Sequence, residues 1–449
     1  MDIRFQPNNT HLDSGSDFSK TDPHLKRLYA EKLVYRSDLI DQLPWEEPCI
    51  LTLTGGRQIG KTTLLKQWME NLLKKGVGPK AICFFSGELI TDYQSLYTVI
   101  LAQIENMPKD VLKYCIIDEV TYINDWDKTV KYLADTGALD RVVLVLSGSD
   151  SVLIQDARKR FPGRRGNVDQ ADFHYYPLSF REFIELKKVV DIGTIGDSPN
   201  DLDILFKEFD SYLVHGGFLK AINDFEKNNR ISLSTLTVYA DWIRGDVLKR
   251  NKKEVFLREI IGAIIKHYMK QVSWDNLVKE LSIDHTQTVA DYMEMLNAMD
   301  AVFVQSAIRE DTLSPAPKKR KKIMFSDPFI YHAMRAWIRS EKNPYESQII
   351  TGVNDPEICS DLVEACVASH FKRYYSTYYI KAEGEVDIAY VKNNHFYPIE
   401  VKWTSQLRPK DLKQISKYSH GEIYANVRQA TSVNHIPVKP LPLALLALF

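Results

Sequence analysis

The sequence predicts an α/β fold organised around a phosphate-binding loop, and three observations predict it. Residues 50–54, ILTLT, form an apolar run that passes directly into the glycine-rich stretch 55–63, GGRQIGKTT, and then into a helical pattern. Residues 114–119, YCIIDE, form a second apolar run that ends in Asp118 and Glu119. Residues 384–403, GEVDIAYVKNNHFYPIEVKW, alternate apolar and polar side chains about Asn393-Asn394 and carry Asp387, Glu400 and Lys402.

A chain of 449 residues is too long for a single core, so two or three domains are expected. Lysine plus arginine (58) nearly balances aspartate plus glutamate (59), which excludes a strong overall field. Any contact with nucleic acid must come from local patches. The five cysteines, Cys49, Cys83, Cys115, Cys359 and Cys366, match no metal or redox spacing and read as buried thiols of a reducing compartment. With no apolar run of eighteen residues and no signal-peptide core, a cytoplasmic protein without membrane contact is expected. The apolar PLPLALLALF at 440–449 is read as a packed terminal strand.

The first run fits the strand–loop–helix context that G-x-x-x-x-G-K-[ST] requires. After it, Leu64, Leu65, Trp68 and Leu72 share one helix face, and Gly76 ends the helix. In such a loop the backbone N–H groups of Gly55, Gly56, Arg57, Gln58, Ile59, Gly60, Lys61, Thr62 and Thr63 turn toward phosphate oxygens, and the helix N-terminus adds partial positive charge. Lys61 is expected to neutralise the β- and γ-phosphates, and Thr62 to ligate Mg²⁺. At the end of the second run Asp118 would hold Mg²⁺ through water, and Glu119 would act as general base on the attacking water. The two motifs are separated by a strand (81–85) and a helix (92–106), and together they imply hydrolysis of ATP with Mg²⁺ as cofactor. A third strand, 141–146, ends in SGSD, where Ser147 or Ser149 is expected at the γ-phosphate or the water. The basic cluster Arg158, Lys159, Arg160, Arg164 and Arg165 follows, and one of its arginines is a candidate finger for a neighbouring subunit.

These stretches, with YYPLSFREF after Gly163-Arg164-Arg165 and YLVHGGFLKAI further on, resemble a group of prokaryotic AAA+ ATPases. The resemblance runs from about residue 25 onward. It implies a P-loop AAA+ core with a helical lid, a winged helix and a C-terminal restriction-endonuclease-like domain. It also implies a homo-oligomer, a ring or a smaller assembly, with Arg164 as the preferred finger. The corresponding divisions are an N-terminal extension 1–25, an AAA+ core 26–188, a lid 189–252, a winged helix 253–330 and the endonuclease-like domain 331–449.

From Glu254 the pattern is helix (255–270), short helix (273–281), longer helix (285–298) and two strands (301–307 and 322–326), the order of a winged helix. The loop between the strands carries Lys318, Lys319, Arg320, Lys321 and Lys322, expected to ride on DNA phosphates without reading sequence. In the C-terminal stretch a hairpin is predicted, with Asp387 on one strand and Glu400 and Lys402 on one face of the other. Twelve residues separate Asp387 from the E-x-K triplet, which is the D…ExK core of restriction-endonuclease-like nucleases. Two such carboxylates can share a Mg²⁺ while the lysine positions the hydrolytic water. Glu364, on the preceding helix (361–374), is expected to complete the site, and Gln414 and Tyr418, on a following helix, to be accessory. The reading is thus a DNA-binding, DNA-remodelling ATPase with nuclease activity undecided; its alternative is a regulatory or partner-binding ATPase whose nuclease-like domain is vestigial.

Overall fold

Four apolar runs and a short edge strand in the first 176 residues line up as a parallel sheet, whose central strands are covered by helices on both faces. They are β1 (Cys49–Thr54), β2 (Ile82–Ser86), β3 (Lys113–Asp118), β4 (Val142–Gly148) and β5 (Asp172–His174), in the order β2-β3-β4-β1-β5. The computed structural model describes residues 2–159, 162–193, 195–196, 198–408 and 412–448, and divides into two units, Met1–Tyr176 and Pro177–Phe449. The topology of the first unit sets its chemistry. Since β4 pairs with both β1 and β3, the C-terminal ends of these three strands open onto one edge.

One face of this sheet packs on helices Tyr93–Asn106 and Trp126–Asp135, and the other on helix Lys61–Lys74 and the N-terminal segment. Phe5, Phe18 and Leu25 are fully buried in these cores, so residues 2–25 are part of the unit's interior packing. Their polar groups are spent on the sheet. Asn9 accepts from the Phe84 N–H and donates to the Phe84 carbonyl, each at 2.8 Å. Lys66, also fully buried, donates to the Asn8 carbonyl at 2.5 Å and lies 3.4 Å from Asp22. Burial pushes that ammonium down to about 8 against the pull of Asp22.

The second unit begins with helix Phe180–Lys187, followed by helices Pro199–His215, Leu219–Asn228 and Leu233–Lys249, and Gly216-Gly217 separates the first two of these three. Gly216 has φ +58°, and a side chain there would collide with Asp327. Asp327 caps helix Pro328–Arg339 and accepts from the Gly217 N–H at 2.8 Å, which joins the three helices to the segment that follows.

That segment runs helix Glu254–Lys266, β6 (Gln271–Val272), helices Trp274–Val278 and Thr286–Ala298, β7 (Val302–Ser306), β8 (Ile308–Arg309), β9 (Ser314–Pro315) and β10 (Lys321–Phe325). Strands β6, β10 and β7 form an antiparallel sheet, and β8 and β9 pair within the loop. A six-stranded mixed sheet follows helix Pro356–Lys372: β11 (Ser376–Lys381), β12 (Glu385–Lys392), β13 (His395–Lys402), β14 (Glu422–Ala425), β15 (Thr431–Val433) and β16 (Ile436–Pro440), ordered β11-β12-β13-β14-β16-β15. Asn393 and Asn394 take φ +51° and +58°, the paired left-handed residues of a two-residue hairpin.

Two expectations fail here. The C-terminal apolar stretch is a strand only to Pro440; Leu441–Leu446 is a helix, because Pro442 sits in its first turn, where no N–H is needed, and Leu441 and Leu445 share a buried face. The helix expected after Lys402 is, among the described residues, a single 3₁₀ turn at Ile415–Lys417. All five cysteines are free and buried, and no helix among the described residues is long and apolar enough to cross a membrane.

Candidate functional site

Two groups of acids and lysines stand out, one in each unit. In the first, β1 delivers the chain into a loop whose backbone only glycine tolerates at its ends. Gly55 has φ +148° with no room for a side chain against the Tyr175 carbonyl, and Gly60 has φ +101°. Lys61 then opens the helix and is 4 % exposed, its Nζ donating to the carbonyls of Gly55 (2.8 Å) and Gly56 (3.0 Å). Thr62 Oγ1 donates to Asp118 Oδ2 at 2.5 Å, and Ser147, at the end of β4, donates to Asp118 Oδ1. Burial raises the Asp118 carboxyl, and the Ser147 and Thr62 hydrogen bonds oppose that rise.

Glu119 sits at φ +55°, ψ +46°, a left-handed conformation uncommon for a residue with a side chain. The turn directs its carboxylate back toward the loop, where Oε1 is 3.5 Å from Lys61 Nζ and Oε2 accepts from Ser149 Oγ at 3.2 Å. Gly87, just past β2, permits this geometry: a Cβ there would stand 2.5 Å from the Glu119 carbonyl oxygen. Thr62 and Asp118 thus present oxygen donors at one point beside Lys61, a donor set that suits Mg²⁺.

The second group lies in the C-terminal unit. Asp387 of β12 accepts from the Val401 N–H of β13 at 2.9 Å, and on β13 the Lys402 ammonium is 2.6 Å from Glu400 Oε1. Glu364 joins from helix Pro356–Lys372 and Glu385 from the start of β12. At their centre is Lys322 of β10. Its Nζ lies 2.7 Å from Glu364, 2.5 Å from Glu385 and 3.5 Å from Asp387, and the residue is 2 % exposed. Burial alone would lower its pKa; the three carboxylates outweigh burial and raise it. Glu364 and Glu400 are each pushed up to about 8, by burial first and then by the negative charge of Asp387. Four carboxylic acids therefore face two lysines in one buried group.

Residues 47–184 match the model of the AAA domain. This part of the chain is similar to AAA domains. Residues 206–341 and 360–438 match two domains of unknown function, DUF8612 and DUF4143. An uncharacterised protein of Haemophilus influenzae is 25 % identical over 263 residues, covering 55 % of this chain and 60 % of its own length. A second, from Methanocaldococcus jannaschii, is 25 % identical over 234 residues, covering 46 % and 47 %. The chain thus spans only about half to three fifths of these relatives. Among solved structures, a Walker-type ATPase of Pyrococcus abyssi superposes with a TM-score of 0.40 at 14 % identity, over 71 % of this chain and 95 % of that one. The Aeropyrum pernix ORC2 protein gives 0.34 at 12 %, over 73 % and 93 %. Both scores are too low to argue a shared fold, so the likeness to ATPase domains rests on the family match and the loop geometry.

Of the residues singled out from the AAA domain's sequence, Lys61, Thr62, Asp118, Glu119, Ser147 and Ser149 are brought together. Arg164 is not among them; its Nε pairs with Asp135. Arg165 bonds Asp172 (2.6 Å) and the Ala171 carbonyl, which ties it to β5. Arg160 and the Arg158 side chain lie outside what is described.

In the other unit Glu364, Asp387, Glu400 and Lys402 converge, and Gln414 does not. Its side chain accepts from the Gly384 N–H (3.1 Å) and donates to Tyr418 Oη (3.3 Å), which fixes a loop. Lys322 is a correction. Expected on DNA phosphates, it is enclosed by carboxylates and out of reach of solvent, whereas Lys318, Lys319 and Arg320 are exposed. Strand parity gives no cue to it, because β10 is buried on both faces, at Ile323 and at Met324. Glu385 has no local cue in the sequence, and Gly87 has one, the strand-ending Phe85-Ser86-Gly87.

Proposed function

We propose that the protein is a DNA-binding AAA+ ATPase that couples ATP turnover to the remodelling of branched or single-stranded DNA. The observation that carries the reading is the convergence of Lys61, Thr62, Asp118 and Glu119 at the open ends of β1 and β3. ATP phosphates would replace the Gly55 and Gly56 carbonyls as the partners of Lys61. Thr62 and Asp118 would hold Mg²⁺, which supplies charge neutralisation on the phosphates. Glu119, held by Ser149, would take the proton of the attacking water. Arg164 serves as a finger in a neighbouring subunit once it releases Asp135, which makes turnover depend on assembly.

The element order from Glu254 to Phe325 supports a winged helix, with Lys318, Lys319 and Arg320 as non-specific phosphate contacts. The strand-borne Asp387, Glu400 and Lys402 with Glu364 support an endonuclease-like fold for the C-terminal sheet, used here to grip DNA. A second reading, a regulatory ATPase with a protein partner and a vestigial nuclease-like domain, is favoured by the withdrawal of Lys322 from the basic loop.

Steady-state ATP hydrolysis, measured alone and with single-stranded, duplex and four-way-junction DNA, separates them. Stimulation by one of these DNAs, lost in Lys61→Ala, supports the first reading. Turnover indifferent to every DNA sinks it in favour of the second.

A further inference from the structure

The donor chemistry of the C-terminal acids suits a hard divalent cation: all oxygen, from two strands and a helix. One of these oxygens, Glu400 Oε2, is buried with no hydrogen-bond partner. Yet among the described residues no three side chains are arranged to hold a metal. A cation is already present in the form of the Lys322 ammonium, within 3.5 Å of Glu364, Glu385 and Asp387.

Lys322 does not arrive alone. In the β6-β10-β7 sheet it is in register with Gln271 on one side and Gln305 on the other. Gln271 donates to the Glu385 carboxylate. Gln305, fully buried, donates to the backbone carbonyls of Tyr378 (2.9 Å) and Asp387 (3.1 Å). One cross-strand row of three polar side chains is therefore aimed at the acid group. The rest of the hairpin follows it onto the larger sheet: Ile308 packs with Ile380 and Val386, and Tyr379 Oη donates to the Arg320 carbonyl at 2.6 Å.

We infer that Lys322 stands in for the divalent cation that these carboxylates would otherwise hold, so that a seated β10 hairpin and a bound metal exclude one another. In this arrangement the domain takes up no metal and cuts no DNA, and the acid group serves as a latch for the hairpin that carries the exposed Lys318, Lys319 and Arg320. The inference rests on the endonuclease-like reading of the C-terminal sheet and is independent of ATP turnover.

The test is Mn²⁺ binding to the nucleotide-free 449-residue chain, followed by electron paramagnetic resonance and by thermal shift. The native chain is expected to show no Mn²⁺ signal that Asp387→Asn removes. Lys322→Met, with its fold checked by circular dichroism, is expected to gain about one equivalent of Mn²⁺, lost again in Lys322→Met/Asp387→Asn. Mn²⁺ uptake by the native chain that depends on Asp387 would overturn the inference, and this arm needs no altered lysine. A folded Lys322→Met protein that takes up no Mn²⁺ would equally overturn it, because the lysine would then not be what keeps the metal out. Neither result bears on whether DNA stimulates the ATPase.

Discussion

Lys61 and Lys322 are both nearly buried and both surrounded by oxygen, yet they are held in opposite ways. Lys61 rests on two peptide carbonyls of a glycine-rich loop, with Glu119 at 3.5 Å. Those carbonyls carry only partial charge, so a triphosphate can displace them. Lys322 is enclosed by three carboxylates donated by a helix and a neighbouring strand. No phosphate competes with full negative charges in a medium of low polarity. A buried lysine among oxygens is therefore a ligand-binding residue in one unit and a structural counter-ion in the other, and the charge of its partners decides which.

The contrast is broken most severely at the P-loop. Lys61→Ala is expected to abolish ATP binding and turnover, read by calorimetric titration and phosphate release; turnover within tenfold of the native rate would remove Lys61 from the site. Glu119→Gln is expected to bind ATP and lose about 10²–10³-fold in turnover, as a missing general base does. Normal single-turnover rates in that protein would assign the base elsewhere.

At the other lysine the expected effect falls on stability. Lys322→Ala leaves carboxylates unpaired in the interior and is expected to cost about 3–5 kcal/mol in urea unfolding of the second unit, with little change in ATP affinity. A loss no greater than that of an exposed lysine would show the enclosure to be unimportant. The smallest effect is one of pH. Glu364 is pushed up to about 8 in the folded chain, well above its ordinary value of 4.5. The folded state thus binds this proton more tightly, a stabilisation present below pH 4.5 and lost as pH rises through 8. The Tm of Glu364→Gln relative to the native protein is expected to rise by a few degrees between pH 5 and 9. A constant difference would mean that Glu364 titrates as an ordinary acid.

The two sites also differ in how far the sequence disclosed them. The P-loop and the Asp118-Glu119 pair are contiguous words, and their strand and helix context lies within a few residues, so β1, β3 and the loop are predicted nearly to the residue. Asp387, Glu400 and Lys402 are legible for the same reason: a hairpin with Asn393-Asn394 at its tip fixes its own register. Lys322 was not legible as part of that site. It stands in a run of five cations whose local appearance is a solvated basic loop, and its partners lie 42 to 65 positions further along the chain. Only tertiary packing of β10 brings them together, and local composition cannot report such packing. Gln414 fails in the opposite way: a family position was matched, but the helix expected to present it is a single turn.

The enclosure of Lys322 has a consequence for how the sequence can drift. Replacing the lysine while Glu364, Glu385 and Asp387 remain strands negative charge in the interior, and neutralising the acids while the lysine remains strands a positive one. Descendants of this chain can leave the arrangement only by compensated exchanges, so these four positions, scattered from the hairpin to the far sheet, are bound to one another's history.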